Sequence, residues 1–167
     1  MITKYLEKLE NSKEYKEWKN THQDSYLAHF FKMFGKDEPQ LGYYNKDGTI
    51  TTFVIADEIT IIPEAKVLQE NKKKLEPLEL SKIKLSLDDA MQKAENLQKQ
   101  EYPQDTPIKK FAIIQHLEVG QVFNITFLTQ TFNTLNIKLD SETGEIKEKK
   151  FKEINGVYLS NLLYSST

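Results

Sequence analysis

The sequence predicts an α+β fold of two units, each a helical stretch followed by an antiparallel meander, with the two meanders able to share one continuous sheet. Three observations carry this expectation. Leu87, Ala90, Met91, Ala94 and Leu97 recur at helical spacing behind a capping serine, Ser86. Thr49 to Ile55 and Leu135 to Leu139 alternate with the period of two that marks strands. Glycine-bearing turn signals, Asn45-Lys46-Asp47-Gly48 and Asp140-Ser141-Glu142-Thr143-Gly144, join consecutive strand-like runs.

The first fifth of the chain reads as two or three helical pieces. Tyr5, Leu6 and Leu9 form a short apolar stripe, and Ser12 caps a second piece carrying Tyr15 and Trp18. Thr21-x-x-Asp24 approximates a capping box ahead of Tyr26, Leu27, Phe30, Phe31 and Phe34, so residues 26–34 are expected to be helical, stopping at Gly35 to Pro39. Three strands follow: Leu41 to Asn45, Thr49 to Ile55, and Ile59 to Ile62, the last closed by Pro63. Thr49, Thr51, Phe53 and Ile55 share one face of the middle strand. Ile50, Thr52 and Val54 share the other, and this predicts cover on both sides. Glu64 to Lys84, with Lys72-Lys73-Lys74 and Pro77, reads as a linker docked through Leu68, Leu75, Leu78 and Leu80. The boundary between units is placed at 75/76, giving residues 1–75 and 76–167.

In the second unit the helix from Ser86 ends before Pro103 and Pro107. Strands are expected over Phe111 to Glu118 and Val122 to Thr131, with Phe123, Ile125 and Phe127 on one face and a bend or bulge near Thr129 to Phe132. The alternating strand Leu135 to Leu139 runs through its turn into Glu145 to Lys150, a charged edge. The tail from Gly156 to Tyr164 is apolar enough that docking is expected. The repetition is one of architecture, since residue identities do not align between the halves.

Composition excludes several chemistries. All 23 basic residues among the 167 are lysines, so the chain cannot supply an arginine finger or a bidentate guanidinium clamp. It contains no cysteine, hence no disulfide, thiolate nucleophile or cysteine-bound zinc. The net charge of −2 provides no strong field for a nucleic-acid partner or an anionic membrane. The Met1 to Glu10 segment lacks the apolar run of a signal peptide, and the cytoplasm is the expected location. Asn124-Ile125-Thr126 matches a glycosylation triplet but reads as strand.

The second unit resembles the PepSY domain family over roughly residues 83–148. The likeness begins at Leu85-Ser86-Leu87-Asp88-Asp89-Ala90 with Ala94, continues at Val122-Phe123-Asn124-Ile125-Thr126-Phe127, and ends at Leu135-Asn136-Ile137-Lys138-Leu139 with the turn Asp140 to Ile146. The resemblance implies a helix packed on an antiparallel sheet, cystatin-like in layout, and a non-catalytic module that binds or regulates. It transfers no functional residues, because the matching positions look structural.

No catalytic, metal or cofactor site is expected. His22 and His29, seven apart, would share a face only if one helix ran through both, and His116 falls in a strand. Asp140, Glu142 and Glu145 have the wrong spacing and glycine position for a calcium loop. Asp57 and Glu58 stand where a turn is needed, and Lys72 to Lys74 and Lys147 to Lys150 read as solvated faces. Tyr43, Tyr44, Phe30, Phe31 and Phe34 read as core more readily than as a groove. The function expected is therefore a non-enzymatic binding or regulatory module for a protein or peptide. The alternative is a small-ligand binder or enzyme with a pocket between helix and sheet, served by His29, Tyr43, Asp57 or His116.

Overall fold

A computed structural model describes residues 2–66 and 74–153. Eight antiparallel strands form one sheet in the order β4-β3-β2-β1-β5-β6-β7-β8, and the helices lie on one face of it. The strands are β1 (Tyr26–Met33), β2 (Gln40–Tyr44), β3 (Thr49–Ile55), β4 (Ile59–Lys66), β5 (Pro107–Leu117), β6 (Gly120–Thr129), β7 (Asn133–Asp140) and β8 (Ile146–Glu153). The helices are α1 (Ile2–Asn11), α2 (Lys13–Thr21) and α3 (Leu87–Glu101), with a short 3-10 turn over Leu80–Lys82. No helix among the described residues is long and apolar enough to cross a membrane.

The helices form where the apolar spacing and caps place them. In α1, Ile2, Tyr5, Leu6 and Leu9 are buried along one stripe. Ser12 closes α1 through its N–H to the Leu9 carbonyl at 2.9 Å, and its Oγ then accepts the Tyr15 N–H at 3.2 Å to open α2. In α2 the one buried residue is Trp18, whose Nε1–H donates to Thr51 Oγ1 on β3 at 3.2 Å. Tyr43 and Phe53 meet edge-on beneath it, 5.7 Å between centroids at 87°. In α3, Ser86 Oγ accepts the Asp89 N–H at 3.0 Å and donates to the Asp89 carboxylate at 2.7 Å. Leu87, Ala90, Met91, Ala94 and Leu97 all face the sheet and are buried. At its other end the Gln98 amide donates to the Tyr102 and Asp105 carbonyls, tying the loop that follows back onto the helix.

Residues 26–34 are not helical as the spacing suggested; Tyr26–Met33 is a central strand, so the first half contributes four strands. The pairing with β2 slips between Leu27 and His29, leaving Ala28 as a bulge. That extra residue puts Leu27 and Phe30, three apart, on the same core face, a spacing that imitates a helix. Thr21 accordingly ends α2 and caps nothing beyond it.

Near Thr129 to Phe132, where a bend or bulge was expected, the chain makes a turn between β6 and β7, with the Phe132 N–H on the Thr129 carbonyl at 3.0 Å. Phe132 adopts φ 58, the left-handed region a bulky residue avoids. Thr129 Oγ1 holds the exit by accepting the Asn133 N–H at 3.1 Å. With no glycine here, the sequence carries no ordinary turn signal. The two glycine-bearing turns read from the sequence form as expected: Gly48 and Gly144 supply φ 84 and φ 72.

One contiguous core lies between the sheet and the helices. Phe30, Leu41 and Phe53 from the first half and Ile114, Phe123, Ile125, Phe127, Leu135 and Ile137 from the second are fully buried in it. Each such side chain stabilises the fold by about 1.5–3 kcal/mol. Residues 78–85 strap the two halves together on this side. The Leu78 N–H reaches the Leu27 carbonyl at 2.9 Å, and Gln121 exchanges hydrogen bonds with the Glu79 backbone. Of the leucines expected to dock this segment, Leu78 is buried, Leu75 half-buried and Leu80 exposed, while Leu68 lies outside the described residues. The tail from Gly156 to Tyr164 lies outside them too.

Replacing Phe132 by Asn, which tolerates the left-handed region, is expected to raise stability by about 0.5–1 kcal/mol in urea unfolding. The same substitution at Phe127, fully buried, is expected to destabilise by at least 3 kcal/mol, roughly.

Candidate binding surfaces

The face of the sheet opposite the helices carries no helix or strand among the described residues. The register places Tyr44 and Tyr26, His29, Phe31 and Met33, and Phe111 and Ile113 side by side across β2, β1 and β5. All seven are half-buried. The rings of Tyr26 and Tyr44 lie 5.7 Å apart and those of Phe31 and Phe111 6.0 Å apart. Ile50, Val54 and Ile62 continue the apolar strip over β3 and β4, with Ile62 41% exposed. Of the cover expected on both sides of β3, the described residues supply one side: Thr51, Phe53 and Ile55 are buried under helices, while Ile50, Thr52 and Val54 are half-buried on the other face.

Towards β7 and β8 the same face becomes polar. Asn136 Nδ2 donates to Asn124 Oδ1 at 2.6 Å and to Thr126 Oγ1 at 2.9 Å. Beyond it Lys138 and Lys150 both hydrogen-bond Glu148, and they hold its carboxyl down at about 2. That pairing keeps the Glu148 side chain an anion at any ordinary pH.

His29 sits in the middle of the apolar strip because Gly42 lies opposite it. A Cβ on Gly42 would come 2.0 Å from His29 Cε1, so the ring occupies the space a side chain would need. Burial pushes the His29 imidazole below its ordinary value of 6.5.

The polar residues proposed for a pocket do not converge. His29 is on the open face and Tyr43 in the core beneath α2, where burial pushes its hydroxyl far above 10. Asp57 lies in the exposed β3–β4 turn, and His116 is near the end of β5 with its Nδ1 on the Pro77 carbonyl at 3.1 Å. His22 is no helical neighbour of His29: it terminates α2 and stacks on Trp18 at 4.8 Å. Phe30 and Tyr43 are core as expected, while Phe31 and Tyr44 belong to the open face. In the β7–β8 turn, Asp140 Oδ1 accepts the Glu142 and Thr143 N–H groups at 2.9 Å each, which occupies it structurally. No group of three or more potential metal ligands occurs among the described residues. A cavity of about 280 Å³ lies between the starts of α1 and α3 and is lined by Ile2, Ile83, Leu85, Leu87 and Phe123. Its one titratable lining residue is Lys84.

The two edges of the sheet differ. In β8, six of the eight residues are charged (IKEKKFKE), whereas β4 opens with four uncharged residues, Ile59-Thr60-Ile61-Ile62. Ile61 is 43% exposed. Beside the start of β4 an open groove is lined by Lys8, Asn11, Ser12, Glu14, Asp57, Glu58 and Ile59. Lys8 is committed there to the Ala56 carbonyl at 2.7 Å.

No protein-family model matches the chain, and no curated protein does. Among solved structures it is similar to the crystal structure of a putative lipoprotein from Clostridium difficile 630, at a TM-score of 0.54 and 16% identity, covering 82% of this chain and 89% of that one. That likeness concerns the fold alone.

Two substitutions test the His29–Gly42 contact. Gly42→Ala is expected to destabilise by about 1–3 kcal/mol in urea unfolding, and His29→Ala in the same chain to recover most of the loss. Because the folded-state value of His29 is depressed, its unfolded form binds protons first. The stability it contributes is complete above 6.5 and falls as pH drops below that value. Unfolding midpoints measured between pH 7.5 and 5 should therefore decline, and the slope should flatten in His29→Gln.

Proposed function

We propose that the protein is a non-enzymatic module that binds a protein or peptide partner, with the open face of its sheet as the docking surface. The observation that carries this reading is the apolar strip from Ile62 across Tyr44, Phe31 and Phe111 to Ile113, which no described helix or strand covers; Lys74 and Leu75 touch it at Tyr26, whose hydroxyl donates to the Leu75 carbonyl. A contiguous apolar patch of this kind, bordered on one side by the Asn124–Asn136 ladder and the lysines of β7 and β8, has the composition of an interaction surface. In this reading the chain is two units, α1–α2 with β1–β4 and α3 with β5–β8, the second of them PepSY-like. The palindromic strand order supports that division. The scattering of His29, Tyr43, Asp57 and His116 speaks against an enzyme built from those groups.

A photo-reactive phenylalanine analogue placed at Phe31 or Ile113 and exposed in the native host is expected to give a discrete adduct. The same analogue at Gln92 or Lys99, on the exposed helical side, should not. The Phe31 adduct should disappear when Ile113→Lys is added to a chain that still folds by circular dichroism. Equal labelling from both faces, or none from the open one, would remove the reading.

A further inference from the structure

We infer that the β4 edge accepts an extended peptide strand whose C-terminal end is basic. This deepens the binding-module reading and rests on it. A sheet edge presents outward N–H and C=O groups in a row, and proteins usually blunt such edges with charge, above all lysine. The edge at β8 follows that rule, with lysines at 147, 149, 150 and 152. The edge at β4 does not, over Ile59 to Ile62, and no described strand pairs with its outer side. The four residues are β-branched and three of them are exposed, which suits strand addition: backbone hydrogen bonds hold the peptide and alternate side chains select it.

Charge complementarity names the occupant. Every pairing in this sheet is antiparallel, and a peptide added in the same sense ends beside Ile59, where β4 begins. The groove there holds Glu14, Asp57 and Glu58 against one ammonium group, Lys8, which is already bonded to a backbone carbonyl. A peptide that continues past its β-branched run with lysine or arginine would place a cation in that groove. A peptide ending in carboxylates would meet like charge. The edge supplies the backbone pairing, and the groove supplies direction and end-group preference.

The test uses the full chain and three synthetic peptides followed by amide chemical-shift perturbation. The first is Thr-Val-Thr-Ile-Thr-Lys-Lys, capped at both ends. The second ends in Glu-Glu, and the third carries proline at its centre. The expected result is perturbation of the amides of residues 59–62 by the first peptide alone. Binding should weaken about 2- to 10-fold in Asp57→Asn with Glu58→Gln and weaken with added salt. It should be lost in Ile62→Lys, which guards the edge as β8 is guarded while leaving the core untouched. Equal binding of the Glu-Glu peptide would overturn the inference, as would shifts confined to β8 or to Phe31 and Ile113. Concentration-dependent broadening of residues 59–62 without peptide, abolished by Ile62→Lys, would assign the edge to a second copy of the chain and overturn it as well. If no peptide binds while cross-linking from Phe31 and Ile113 succeeds, the edge inference fails alone. If cross-linking from the open face also fails, the binding-module reading falls on that result.

Discussion

The structure depends on the pairing of β1 with β5. His29, Phe30, Phe31, Lys32 and Met33 lie opposite Gln115, Ile114, Ile113, Ala112 and Phe111, and this single ladder turns two four-stranded runs into one sheet. It also decides what is buried. Phe30 and Ile114 face the helices and are fully buried, so the two halves share a core. On the reverse side the same ladder brings Phe31 against Phe111 and creates the centre of the apolar strip. Core continuity and open-face continuity are two consequences of one set of backbone hydrogen bonds. A residue-by-residue alternation across a shared strand pair permits nothing else.

How much of this was legible in the sequence follows from where the periodicity is clean. The α3 helix was readable because its cap and its five buried apolar positions agree, and local propensity and tertiary packing point the same way. Leu135, Ile137 and Leu139 were readable because β7 is regular and one-sided. β1 was not, because the bulge at Ala28 restores a three-residue spacing between core residues Leu27 and Phe30. Five aromatic or aliphatic residues near helical spacing then outvote the strand. Phe132 hid the β6–β7 turn for the opposite reason: the backbone takes a glycine-like conformation at a residue that does not advertise it.

Misreading β1 had a functional cost, because the open face is centred on it. With residues 26–34 taken as helix, Phe31 and Tyr44 have no sheet to share, and no surface emerges from the aromatics. The missing signal was present in the neighbouring strands. Thr49 to Ile55 is apolar on both faces, which implied a layer on each side; the described residues supply one. There the local pattern and the described architecture differ, and the difference falls on the face that β1 centres.

Gly42 shows how that face is kept in its present shape. Glycine inside a strand weakens it, since the unfolded chain loses more freedom there and no side chain packs. In β2 the cost is offset by the ring of His29, which fills the gap and would collide with any Cβ. The filled gap keeps the strip continuous between Tyr44 and Phe31, while the imidazole places a polar atom pair amid apolar neighbours. Burial lowers the pKa of that ring below its ordinary value and so disfavours charge at the centre of the surface. The charges lie at the margins instead, in Glu148 with its two lysines on one side and in the Asp57–Glu58 turn on the other. An apolar centre with charged ends favours a partner that is matched in register along the sheet, because sliding it by one strand spacing of about 4.8 Å would pull those end contacts apart.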